Sequence, residues 1–301
     1  MHVQHVDGSS SSRYSLDRGR KKKHLGMNAT PLNTSLLRFC TYQATLANVE
    51  VSFWATADEE DANGHRIDPT LGAVQTSEPS TLPAELFAGQ SVGENLRCGN
   101  VWSGIPPLIA SMEPIIDRLL ATAACTPAAA SCTPQAPSHT LRIPPCTPQA
   151  PSTRVLELGA GMGLPGLWAA ARGTEVILTD STLPVLELLR RNAGFLGDRE
   201  PTVRSLDWSQ PPDWVCEDID LVIASDVIYE QAAIVPLIGV AAAALRPGGT
   251  LLLSHTERGI VSFDDALERA DLEGLSWTAQ TGGSDDGEIG SIAVHTFQKG
   301  F

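Results

Sequence analysis

The sequence predicts a doubly wound α/β fold, with a mostly parallel seven-stranded sheet and an antiparallel last strand. Three observations predict it. From Arg154 onward, short apolar segments alternate with amphipathic ones. The first apolar segment runs into a glycine-rich turn. The last two are split by Gly282-Gly-Ser-Asp-Asp-Gly287, a hairpin signal.

The strands are expected at 154–158, 175–179, 202–206, 219–224, 249–254, 275–280 and 291–297, and the helices at 164–172, 183–195, 231–246 and 261–272. Apolar strands alternating with helices imply a parallel sheet covered on both faces. Ahead of this core, Ile105, Leu108, Ile109, Met112, Ile115, Ile116, Leu119 and Leu120 recur at helical spacing, which predicts a helix over 104–121. Pro106 and Pro107 fall in its first turn, where missing N–H groups cost little, and Pro114 is expected to kink or divide it. Val49, Val51, Phe53 and Trp54 suggest one or two strands within 36–54.

Four regions follow. Residues 1–34 read as a disordered arm carrying the basic run Arg18-Gly-Arg-Lys-Lys-Lys23; residues 35–122 hold the preceding strands and helix, packing on the core; residues 154–301 form the α/β core. Between the last two, residues 123–153 repeat a seven-residue unit: Cys125-Thr-Pro-Ala-Ala-Ala-Ser131, Cys132-Thr-Pro-Gln-Ala-Pro-Ser138 and Cys146-Thr-Pro-Gln-Ala-Pro-Ser152. Its prolines forbid a regular helix, so it reads as a low-complexity linker.

Net charge is −14. Residues 1–30 carry six Lys or Arg against two Asp, so the remainder holds 15 basic and 33 acidic side chains, a balance of −18. An acidic body argues against nucleic-acid binding, which needs clustered cations. No apolar run reaches the roughly 18 residues of a membrane span, and the N-terminus has no apolar signal region. The six cysteines show no Cys-x-x-Cys and no zinc spacing with His, so no metal is expected. The expected setting is the cytoplasm, with the nucleus also open, and the expected state is a monomer.

The turn after the first core strand reads Glu157-Leu-Gly159-Ala160-Gly161-Met-Gly163. Ligands of open α/β sheets bind beyond the carboxyl ends of the strands, and glycines there let backbone approach ligand. On its own the loop is ambiguous: Gly161-Met-Gly-Leu-Pro-Gly166 also satisfies the dinucleotide pattern. Glu157 leans the other way, because a carboxylate at that position can meet the cationic amino group of a methionine moiety, as in S-adenosylmethionine (SAM). Asp180, ending the second strand, is placed to accept from ribose hydroxyls, a role shared with nicotinamide enzymes.

Three further segments, Cys98-Gly-Asn-Val-Trp102, Leu206-Asp-Trp208 and Ala224-Ser-Asp-Val-Ile-Tyr-Glu230, together with the glycine loop, resemble methyltransferase family 16, the seven-strand SAM-dependent protein-lysine methyltransferases with a Rossmann-like sheet. The resemblance covers about residues 95–257 apart from the repeat. It implies SAM as cofactor, S-adenosylhomocysteine as product, and a lysine-containing protein as substrate. It also implies that Trp102 packs near the methionine end, Asp207 accepts from the adenine amino group with Trp208 beside the ring, and Ser225 lines the cofactor through its backbone. Asp226 and Tyr229 are implied to form the target-amine mouth. Methylation of histidine or of a small molecule by the same domain, or a non-catalytic interaction module, are the alternatives.

Overall fold

The computed structural model describes residues 38–56, 73–77, 80–81, 104–125, 152–216, 218–259, 261–282 and 290–301. The basic arm, Trp102 and all but the edges of the Cys-Thr-Pro repeat lie outside them.

Seven strands form the main sheet: β5 (Arg154–Leu158), β6 (Glu175–Asp180), β7 (Thr202–Ser205), β8 (Ile219–Ser225), β9 (Leu245–Thr256), β10 (Leu275–Gly282) and β11 (Ile292–Lys299). Their order is β10-β11-β9-β8-β5-β6-β7. Strands β5 to β9 pair in parallel, and β11 runs antiparallel to both β9 and β10. The fold is therefore the one the alternating pattern predicts. Successive side chains alternate between two cores. Val176 and Leu178 face one and Ile177 the other; Leu221 and Ile223 face the first, Val222 and Ala224 the second.

The first core is covered by α1 (Ile105–Cys125), α2 (Leu164–Ala171), α3 (Leu183–Gly194) and a hairpin of β1 (Arg38–Leu46) with β2 (Val49–Thr56). Short strands β3 (Val74–Gln75) and β4 (Ser80–Thr81) pair with β1. The hairpin turns on Ala47 and Asn48, both at positive φ (42° and 64°), as a tight turn matching strand twist requires. Val51, Phe53 and Ala55 point inward from β2. Two polar ties fasten the hairpin: Trp168 Nε1 donates to the Leu46 carbonyl at 2.9 Å, and the Trp54 N–H donates to Asn192 Oδ1 at 2.6 Å. The second core lies under α4 (Ile234–Ala244) and α5 (Asp264–Leu272).

Two expectations are corrected. Of the kink or division expected at Pro114, division does not occur: α1 runs from Ile105 to Cys125 as one helix. Pro114 and Ala110, whose carbonyl loses its donor, both lie on the exposed face, where water can take the donor's place. The helix expected over 231–246 is a 3₁₀ turn (Gln231–Ala233) followed by α4, and β9 already begins at Leu245. Pro247 disfavours helical geometry at Arg246, which ends the helix early. Among the described residues no helix is long and apolar enough to cross a membrane.

Candidate active site

The strand order reverses between β5 and β8, and a cavity of about 430 Å³ opens beyond their carboxyl ends. This is where doubly wound sheets hold ligands. Glu157, Gly159, Ala160, Gly161, Asp180, Asp207, Trp208, Ser225 and Tyr229 all line it. Of the other residues singled out in the sequence, Gly163 and Asp226 are not in the lining, and Trp102 is outside the described residues.

The loop after β5 is shaped by its glycines. Gly159 has φ +61°, and a Cβ there would stand 2.8 Å from Val227 Cγ1 and 3.1 Å from the Trp208 ring. Gly163 (φ +76°) caps α2, where a Cβ would meet Leu189 at 2.7 Å; this is a packing role rather than a lining one. The loop is pinned by the Ala160 N–H on the Thr179 carbonyl (2.8 Å) and by the Gly161 N–H on Asp180 Oδ2 (3.3 Å).

Glu157 is 1% exposed. Its Oε2 accepts the Gly166 N–H at 2.9 Å, from the first turn of α2. Burial pushes its pKa up to about 8, against the lowering effect of that bond, and the nearby charge of Asp180 adds to the rise. In the sequence, Gly166 has only a formal place in the dinucleotide pattern. Its structural role is to leave room, since a Cβ there would stand 2.5 Å from Glu157 Oε2 and also strike Leu178. Asp180 is likewise raised by burial, although its carboxylate accepts N–H bonds from Ser181, Thr182 and Gly161. Asp207 is exposed and lowered by the Ser209 hydroxyl (2.7 Å) and N–H (2.9 Å).

On the far side, Ser225 Oγ lies 3.3 Å from Ser254 Oγ, beneath Gly104. Tyr229 is 40% exposed at the rim, next to Glu230. Asp226 is placed differently from the open mouth implied by the resemblance. It sits at φ 53°, is 1% exposed, and its carboxylate is taken up by Arg258 and the Thr256 N–H. Arg258 is a site-side residue that sequence reasoning missed; it lies 32 residues from Asp226, and no local pattern links the two.

Among the described residues the lining contains four carboxylates (Glu157, Asp180, Asp207 and Glu230) and no Lys or Arg. Four acids without a cation disfavour a pyrophosphate and suit a cationic, phosphate-free ligand. Among the described residues no group of His, Cys, Asp and Glu is arranged to hold a metal.

A seven-stranded sheet in this order, with a glycine turn and acidic residues closing the first two strands, is the doubly wound α/β class that the sequence predicts. Within that class, residues 146–269 match the family model described as lysine methyltransferase, which bears out the resemblance drawn from the motifs. The chain is 43% identical over 81 residues to Xenopus laevis "Histone-arginine methyltransferase METTL23", covering 26% of this chain and 35% of that protein. It is 33% identical over 116 residues to mouse "EEF1A lysine methyltransferase 3", covering 36% and 49%. It is 37% identical over 93 residues to fission yeast (Schizosaccharomyces pombe) "Protein-lysine N-methyltransferase rrg1", covering 26% and 30%. The chain thus spans about a third to a half of the length of these relatives.

Proposed function

We propose that this chain is a SAM-dependent methyltransferase that modifies a protein side-chain amine, with lysine as the acceptor. The observation that carries the reading is the cavity wall's composition among the described residues, four carboxylates with no cation, one of them the almost fully buried Glu157. SAM fits these residues: its ammonium would meet Glu157, its ribose hydroxyls Asp180, and its adenine Asp207 and Trp208. When bound, it supplies a methyl group on an activated sulfonium.

The chain's own task is to orient and desolvate. In-line transfer needs the acceptor nitrogen aligned and water excluded. Ile105, Val227 and Leu206 supply apolar wall, and Tyr229 bounds the entrance. A lysine must first lose a proton, its ordinary pKa being about 10.4. Its nitrogen then takes the methyl group as the carbon–sulfur bond breaks, and the proton goes to water. Asp226 and Tyr229 are the residues assigned to the acceptor side, Asp226 acting from behind the cavity wall.

The test is isothermal titration with SAM and S-adenosylhomocysteine, followed by labelled methylation of a cell lysate with mass-spectrometric site mapping. Binding of both and label on protein lysine support the reading. Label on a metabolite, or no cofactor binding, overturns it. Arginine is the second reading, favoured by the similarity to the histone-arginine methyltransferase METTL23; the same mapping separates the two residues.

A further inference from the structure

Two residues on the acceptor side, Asp226 and Tyr229, converge on a third. Arg258 Nη1 donates to Asp226 Oδ1 at 2.8 Å, Arg258 Nη2 donates to Asp226 Oδ2, and the guanidinium also feels the Tyr229 hydroxyl. The Thr256 N–H adds a bond to Asp226 Oδ1 at 3.1 Å. Asp226 is almost fully enclosed, while the Arg258 side chain keeps 27% of its surface exposed. The two neighbours of Asp226 in sequence, Ser225 and Val227, line the cavity, so the ion pair lies directly behind its wall.

We propose that Arg258 is a positioning residue of the acceptor mouth: it neutralises Asp226, so that the mouth receives the acceptor amine in its uncharged, nucleophilic form. The inference rests on the lysine reading above. An ammonium has no lone pair to attack with. A bare carboxylate beside the amine would stabilise the ammonium and raise its pKa by about 1–3 units. Arg258 cancels that charge with a cation that does not titrate at any working pH. The two-pronged geometry fixes the carboxylate as well as neutralising it, since parallel N–H bonds leave a fork little freedom. Asp226 is thereby held behind the wall instead of reaching across the cavity.

The other ionisable groups facing the pair are few among the described residues. Glu257 uses its Oε1 to accept the Gly259 N–H at 2.7 Å. His255, from β9, feels Asp226, Glu257 and Arg258, and His295, from β11, feels His255. Burial holds both histidines below their ordinary value, so both are uncharged above pH 7.

The test is the pH profile of kcat at saturating substrate, on the lysine substrate identified from the lysate, measured from pH 6.5 to 9.5, because kcat reports the groups that titrate in the bound complex. Arg258→Gln is expected to move the rising limb about one pH unit to the alkaline side, a loss of roughly tenfold at pH 7.5 that recovers by pH 9.5. Asp226→Asn, which leaves the cation alone, is expected to move the limb the other way. Arg258→Lys, keeping the charge, is expected to restore the wild-type limb. Affinity for S-adenosylhomocysteine, read by titration without turnover, stays within about twofold in all three if the cofactor side is untouched. A purely structural role lowers the rate equally at every pH; limbs that do not move, or that move together, overturn the inference. If Arg258→Gln fails to bind S-adenosylhomocysteine, Asp226→Asn alone decides, and an unmoved limb there overturns it. If the wild type methylates no protein lysine, the lysine reading falls and the inference with it, which is distinct from failure of the inference alone.

Discussion

Glu157 places an almost fully buried carboxyl at the cavity wall, where its Oε2 accepts the Gly166 N–H. Its raised pKa, about 8, means that it is mostly protonated at pH 7 before a ligand arrives. A ligand ammonium favours the ionised form, so binding must expel the proton. We expect S-adenosylhomocysteine binding at pH 7 to release about one proton, read by titration in buffers of different ionisation enthalpy. Glu157→Gln should abolish that release and weaken binding by roughly 10- to 100-fold, the worth of a charge-assisted bond. A bound ligand with no proton release would leave Glu157 outside the contact. Gly166 is the matching packing constraint, because its missing Cβ is the space that Glu157 Oε2 occupies. Gly166→Ala should cost about 1–3 kcal/mol by overpacking and weaken the same ligand, as a thermal melt and a titration would show. Melting unchanged by this substitution would mean that the helix shifts freely. The acid in the loop was legible in the sequence because its chemistry is local. The role of Gly166 was not, because it depends on where α2 crosses β5.

At the scale of elements, what was legible followed from periodicity. Short apolar segments alternating with amphipathic ones located each core strand to within a few residues of its observed bounds, and the three-and-four spacing located α1. What was not legible depended on contacts between distant segments. Asn192 shows this. It is fully buried on α3, in a run that reads only as an amphipathic helix. Its Oδ1 accepts the Trp54 N–H of β2, while its Nδ2 donates to the Met162 carbonyl of the glycine loop at 2.9 Å. One side chain therefore joins the added hairpin, a core helix and the cavity wall. Removing it leaves buried backbone groups unpaired, at about 1–3 kcal/mol for each. Asn192→Leu is expected to lower the melting temperature and, through Met162, to weaken cofactor affinity as well. A loss of stability with unaltered affinity would confine its role to docking the hairpin. The Asp226–Arg258 pair was hidden for the same reason: the loops after β8 and β9 meet only because those strands are parallel neighbours.

Across the whole molecule, buried ionisable groups give the fold opposing responses to pH. Glu157 and Asp180 are raised by burial, so the stability they contribute is full below the ordinary carboxyl range; for Glu157 it is lost as pH climbs towards 8. His255 and His295 are lowered by burial, His295 to about 4. Their contribution is full above 6.5 and is lost as pH falls towards 4, because the unfolded chain then binds protons that the fold refuses. The reason lies in their packing. Phe263 stacks between them, with ring centroids 3.8 Å from His295 and 5.2 Å from His255, and both nitrogens of His255 and Nδ1 of His295 have no hydrogen-bond partner among the described residues. A neutral imidazole behaves here as an aromatic filler, and a protonated one would be a buried cation beside a second ring. At pH 5 the penalty from His295 is about 1–2 kcal/mol. Replacing both rings by Leu removes it, at a packing cost that is the same at every pH. The double variant should therefore gain stability relative to wild type on going from pH 7.5 to pH 5, as measured by chemical denaturation at both values. Equal differences at the two pH values would show that the histidines titrate freely and that the stack opens to solvent. The alkaline side behaves in the opposite way: a ligand ammonium at Glu157 should raise the melting temperature more at pH 8 than at pH 6, since it stabilises the carboxylate that the empty fold penalises.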